Sequence, residues 1–105
     1  MQQVPHTPYV AVSAVPQDAF ILDVREPDEW AAGHVEGSLH IPMGEVPDRF
    51  VEVPQDQRVV VVCRSGGRSA RVTEFLRQQG YDVVNLDGGL TAWQAANRAL
   101  TGPVI

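Results

Sequence analysis

Val59-Val60-Val61-Val62-Cys63-Arg64-Ser65-Gly66-Gly67-Arg68-Ser69 joins a strand, a loop and the start of a helix within eleven residues. Four consecutive valines show no apolar–polar alternation, so the run reads as a strand buried on both faces, as in a parallel sheet. It ends on Cys63, the only cysteine in the chain. Arg64 to Arg68 follow, rich in glycine and arginine, and a helical pattern opens at Arg68. A cysteine placed there faces a helix N-terminus, where unpaired backbone N–H groups and the helix dipole favour negative charge. That is the setting of a thiolate nucleophile.

From Arg68 to Gln79, Val72, Phe75 and Leu76 recur at helical spacing, and Gly80 ends the pattern. Downstream, Val83–Leu86 is a strand, Asp87-Gly88-Gly89 a turn, and Leu90 to about Ala99 a last helix. Upstream, Ala19–Arg25 reads as a buried strand whose end turns polar. Glu26–Gly33 reads as a short helix, with Pro27 at its first position, acids in its first turn and Gly33 as its stop. Ser38–Ile41 and Tyr9–Val12 are short strands, and Pro47–Val53 is a short helix. Strands thus alternate with helices throughout, which predicts an α/β fold with a parallel sheet, helices on both faces and right-handed crossovers. Ligands in such sheets sit at the carboxyl ends of the strands, where Asp23-Val24-Arg25 and Cys63 lie.

The totals narrow the function classes. At 105 residues the chain reads as one domain, with a core from about residue 9 to residue 99. A net charge of −5 gives no electrostatic reason to expect nucleic acid or an anionic membrane as partner. The eight basic residues are all arginine, which excludes lysine chemistry such as a Schiff base. One cysteine forms no internal disulfide, Met1–Pro8 has no signal-peptide pattern, and no apolar run approaches the ~20 residues of a spanning helix. The expected location is cytoplasmic. His6, His34 and His40 are too scattered to join Cys63 in a metal site, and no cofactor is expected.

Four stretches carry a resemblance to a known family. They are Asp23-Val24-Arg25-Glu26-Pro27, the run Gly33 to Pro42 (GHVEGSLHIP), Cys63-Arg64-Ser65-Gly66-Gly67-Arg68-Ser69, and Leu86-Asp87-Gly88-Gly89-Leu90 with Trp93. In this order and spacing the chain resembles a single-domain rhodanese, a sulfurtransferase. The resemblance implies a three-layer α/β/α domain with a five-stranded parallel sheet of order 3-2-4-5-1. It also implies that Asp23 sits near the cysteine loop, and that a sulfane sulfur passes through a Cys63 persulfide. The partners it implies are a small donor such as thiosulfate, or a protein persulfide, and an acceptor such as cyanide or a thiol.

Each residue of the loop suits that chemistry. Backbone N–H groups of Arg64 to Arg68 can form an anion-binding ring, with Gly66 and Gly67 allowing the tight turn. Arg64 and Arg68 bring charge for an oxyanion, and Ser65 and Ser69 bring hydroxyl donors, with Ser69 also able to cap the helix. Asp23 is expected to support the loop and Arg25 to be structural, while His34 and His40 serve packing and hydrogen bonding. Glu26, Asp28 and Glu29 read as a solvated helix start, and Trp30 and Trp93 as packing against the sheet. Related cysteine phosphatases and arsenate reductases place five residues between cysteine and arginine to wrap a tetrahedral anion. Here Cys63 and Arg68 enclose four, which suits a single sulfur atom. A binding module on the same fold, or a redox-sensing cysteine, is the remaining alternative.

Overall fold

The computed structural model describes residues 7–102. Five strands form one sheet: β1 (Tyr9–Val10), β2 (Phe20–Asp23), β3 (Leu39–His40), β4 (Val59–Val62) and β5 (Val83–Leu86). Every pairing is parallel. The order β1-β5-β4-β2-β3 is the expected 3-2-4-5-1 read from the other edge. The helices are α1 (Pro27–Ala32), α2 (Val46–Arg49), α3 (Gly67–Gln78) and α4 (Gly89–Ala95).

β4 lies at the centre, paired with β2 and β5. Its four valines are at most 3% exposed, as a strand covered on both faces requires. Successive side chains point to opposite faces. Val59, Val61 and Cys63 therefore share one core with Leu22, Val24, Val46 of α2 and Leu76 of α3. Val60 and Val62 share the other with Ile21, Leu86, Leu90 and Trp93. The sheet is the middle layer of three. Cys63 continues the α3 side of β4, which puts its sulfur beneath the first turn of α3.

The element ends differ from the sequence reading for local reasons. The first strand stops at Val10, because Val12–Ala14 turns into a 3-10 helix. The third strand keeps only Leu39–His40. The predicted Pro47–Val53 helix begins at Val46 and tightens after Arg49 into a 3-10 turn, Phe50–Glu52. Gly33 ends α1 in extended backbone, with φ 168°. The last helix ends at Ala95 rather than near Ala99, and Asn97 takes a left-handed φ of 59°. Arg98 then folds back with its guanidinium 4.0 Å over the Trp93 ring and donates to the Val12 and Val15 carbonyls at 3.1 and 2.9 Å. His6 lies outside the described residues. Among the described residues no helix is long and apolar enough to cross a membrane.

Candidate active site

Cys63 follows β4 directly and is 1% exposed. Gly66 caps α3 with φ 112°, a left-handed conformation that glycine adopts without strain. That turn aims the Gly66 N–H at Cys63 Sγ, 3.1 Å away. The Ser69 N–H follows at 3.4 Å, and the Ser69 hydroxyl oxygen lies 3.2 Å from the same sulfur. Of the run Arg64 to Arg68, from which the ring was expected, Gly66 is the residue whose N–H bonds to the sulfur, and the second N–H comes from Ser69, one residue beyond that run. Ser69 does not cap the helix; the cap is Gly66, and Ser69 is the third helical residue, inside the first turn. Gly67 begins α3 half-buried, and Arg64 and Ser65 are exposed on the loop.

The N–H groups face the sulfur because the carbonyls on the other side of the loop are already engaged. Leu90 N–H donates to the Cys63 carbonyl at 2.9 Å, and Thr91 N–H to that of Arg64 at 3.0 Å. The first turn of α4 therefore clamps the loop. Gly89 makes this possible: with φ 61°, a Cβ there would lie 2.5 Å from the Arg64 oxygen and 2.6 Å from that of Cys63. The Asp87-Gly88-Gly89 turn opens a helix, as read, and also seats the loop against it.

Asp23 pairs in register with Val62 on one side and His40 on the other, so it lies beside the end of β4. It is fully buried, as is Arg25. Its carboxylate accepts from Arg25 Nε at 3.0 and 3.1 Å, from Nη2 at 2.8 Å and from the Arg25 backbone N–H at 3.0 Å. Arg25 donates onward to the Glu29 carbonyl at 3.4 Å and the Gly33 carbonyl at 2.7 Å. The pair thus anchors α1 at two points to the end of β2.

A rhodanese-like domain model matches residues 11–96. The chain belongs to the rhodanese-like domain family. It is 41% identical over 88 residues to a sulfurtransferase of Allochromatium vinosum, covering 83% of this chain and 82% of that one. It is 37% identical over 81 residues to the thiosulfate sulfurtransferase GlpE of Pseudoalteromonas translucida, covering 76% and 77%. A rhodanese-related protein of Thermoplasma volcanium superposes with a TM-score of 0.85 at 29% identity, over 90% of this chain and 97% of that one. By membership and relatives the chain is a rhodanese-type sulfurtransferase.

In this rhodanese α1 is coupled to the sulfur loop by Glu29, whose partner sequence reasoning did not find. Glu29, read as a solvated acid, receives Arg68 Nη1 at 2.6 Å and Nη2 at 2.9 Å. Such a two-pronged, partly buried pair is stronger than a single surface contact. Nothing in the spacing signals it, since the partners are 39 residues apart. A chain of hydrogen bonds thus runs from Asp23 through Arg25 and α1 to the Glu29–Arg68 pair. The Arg68 hydrogen bonds, against partial burial, hold the Glu29 carboxyl at about 2 rather than its ordinary 4.5. The same bonds raise Arg68. A carboxyl lowered by folding stabilises the native state above its unfolded value and ceases to do so as pH falls through its folded value. Glu29→Gln is thus expected to lower the urea midpoint at neutral pH, and the deficit should vanish between pH 4.5 and about 2. A deficit that is independent of pH over this range contradicts the role of the pair.

Trp30 packs against the edge of the sheet, on a β3 side chain, rather than into either apolar core. Its ring stacks with those of His34, 3.5 Å away at 7°, and His40, 4.7 Å away at 10°. His34 Nδ1 lies 2.7 Å from the Trp30 carbonyl, and His40 Nε2 lies 2.7 Å from that of Arg25. A carbonyl only accepts, so both nitrogens carry hydrogen, and both histidines pack and hydrogen-bond, as expected, here against Trp30 and the Arg25 and Trp30 carbonyls. A cleft of about 380 Å³, lined by Pro16, Ala19, Ser38, Trp93 and Arg98 among others, opens where β2 and β3 begin, at the sheet edge opposite the loop. Asn85 is the other residue that sequence reasoning missed. It lies on β5, fully buried, and reaches the loop from below. Its signal was a lone polar side chain in an otherwise apolar strand.

Proposed function

We propose that this rhodanese moves a sulfane sulfur from a donor to a thiophilic acceptor through a persulfide on Cys63. The setting of the sulfur carries this reading: it is buried, at the floor of the loop, with the Gly66 and Ser69 N–H groups at 3.1 and 3.4 Å. Cys63 thiolate attacks the outer sulfur of the donor. With thiosulfate, the S–S bond breaks and its electron pair leaves on sulfite. The acceptor, cyanide or a thiolate, then attacks the outer sulfur of the persulfide. The electron pair of that S–S bond returns to Cys63. Each step exchanges one S–S or S–C bond for another and consumes no cofactor, and ping-pong kinetics follow. The N–H groups and the amino end of α3 stabilise the anion in each state. The location that suits a lone reduced cysteine is the cytoplasm.

A single sulfur fits this loop better than a phosphate does. Four residues separate Cys63 from Arg68, and Arg68 is held by Glu29 rather than free to wrap a tetrahedral anion. The same pair bears on the donor. Arg64 is the loop cation with no ion-pair partner among the described residues. A thiosulfate dianion would meet the Glu29 carboxylate, whereas the persulfide of an uncharged thiol such as 2-mercaptoethanol carries at most one negative charge. Mercaptoethanol persulfide is therefore expected to load Cys63 faster than thiosulfate at equal concentration, and Glu29→Gln to narrow the gap by speeding thiosulfate. Loading by neither donor would contradict the function. Faster loading by thiosulfate, unaffected by Glu29→Gln, would contradict the choice of donor.

A further inference from the structure

Asn85 Nδ2 donates to the Gly66 carbonyl at 3.1 Å, and its Oδ1 lies 2.5 Å from Ser69 Oγ. These contacts fix the orientation of the amide: a carbonyl only accepts, so the nitrogen faces Gly66 and the oxygen faces Ser69. Ser69 has one hydroxyl hydrogen, and two atoms claim it, Asn85 Oδ1 at 2.5 Å and Cys63 Sγ at 3.2 Å. Oδ1 has no hydrogen to give, so that short contact is a hydrogen bond only with Ser69 as donor. The serine then turns a lone pair to the sulfur. A lone pair suits an S–H group and opposes a thiolate.

We infer that Asn85 is a positioning residue that withholds the Ser69 hydroxyl hydrogen from Cys63, leaving the backbone N–H groups to stabilise the thiolate. The consequence for turnover rests on Cys63 carrying the sulfur. When an acceptor takes the outer sulfur, the electron pair stays on Cys63 Sγ, and a better stabilised thiolate leaves faster. Asn85 thus slows discharge and prolongs the loaded form. A role as a simple brace is the rival account. Gly66, however, is held without Asn85, because its carbonyl also accepts the Ala70 N–H at 3.1 Å.

Asn85→Leu removes the competing acceptor at similar volume, and Asn85→Val does so with a side chain that strands favour. The alkylation test needs no sulfur transfer. Alkylation of unloaded Cys63 by iodoacetamide at about pH 6 is expected to rise roughly threefold, a larger gain in thiolate being offset in part by lower nucleophilicity. Discharge of the loaded enzyme to cyanide is expected to speed up by a similar factor. In a Ser69→Ala background the same Asn85 substitutions should leave alkylation unchanged, because the hydrogen in dispute is gone. Unchanged or slower alkylation in the Asn85 variants, or equal acceleration without the Ser69 hydroxyl, overturns the inference. Faster alkylation in a protein that never loads sulfur would uphold it and remove the proposed function instead.

Discussion

Replacing Cys63 by serine is expected to lower sulfur transfer by a factor of about 10³ or more, down to background. Serine has nearly the same volume, and its hydroxyl oxygen can accept from the Gly66 and Ser69 N–H groups that now face the sulfur. The fold should therefore survive, with a stability change within about 1 kcal/mol. What is lost is the nucleophile, since a hydroxyl in this ring has no general base to activate it. Rhodanese assays with each donor, alongside urea denaturation, separate the two effects. Residual turnover above background in a folded Cys63→Ser protein would place the chemistry elsewhere.

The second large effect is on stability. Arg25→Met leaves the fully buried Asp23 carboxylate without its guanidinium, and breaking a buried pair from one side costs about 3–5 kcal/mol. A domain of this size has roughly 5–15 kcal/mol in total, so the variant is expected to be marginal. The double variant Asp23→Leu/Arg25→Met removes both charges and should recover much of the loss. It should not restore the tether to α1, because the bonds to the Glu29 and Gly33 carbonyls come from Arg25. Urea midpoints of the three proteins test this. A single variant as stable as the wild type would show that the pair is not what holds this corner together.

These two sites differ in how far the sequence announced them. The valine run and the lone cysteine after it are local features, and the structure puts them where their pattern requires, in a strand buried on both faces and ending under α3. The sheet order was available through the four family stretches, not through periodicity, because hydrophobic patterns do not say which strands are neighbours. Asp23 was placed near the loop in the same way, but its hydrogen bonds could not be read. Its carboxylate is engaged by Arg25, which bonds to α1, and α1 in turn carries the Glu29–Arg68 pair.

Glu29 and Asn85 were missed for one physical reason. Each acts through a partner that the fold brings close from far along the chain, 39 residues away for Arg68 and 16 for Ser69. Glu29 looked like an ordinary first-turn acid, which it also is, since it completes a capping box with Glu26. Asn85 carried the better clue, because a buried polar side chain needs partners and a strand interior offers few. The end of α4 was overextended for a related reason: Arg98 leaves the helix to cover Trp93 and bind two distant carbonyls, a tertiary gain that helical spacing does not register.

The central claim is that Cys63 holds a transferable sulfur. Its most direct test is the intact mass of the protein after exposure to a donor with no acceptor present, followed by a second reading after cyanide is added. The account predicts a gain of one sulfur atom, mapped to the Cys63 peptide, lost on adding cyanide and absent from Cys63→Ser. No gain from thiosulfate or from a persulfide donor, or an equal gain in Cys63→Ser, would contradict it.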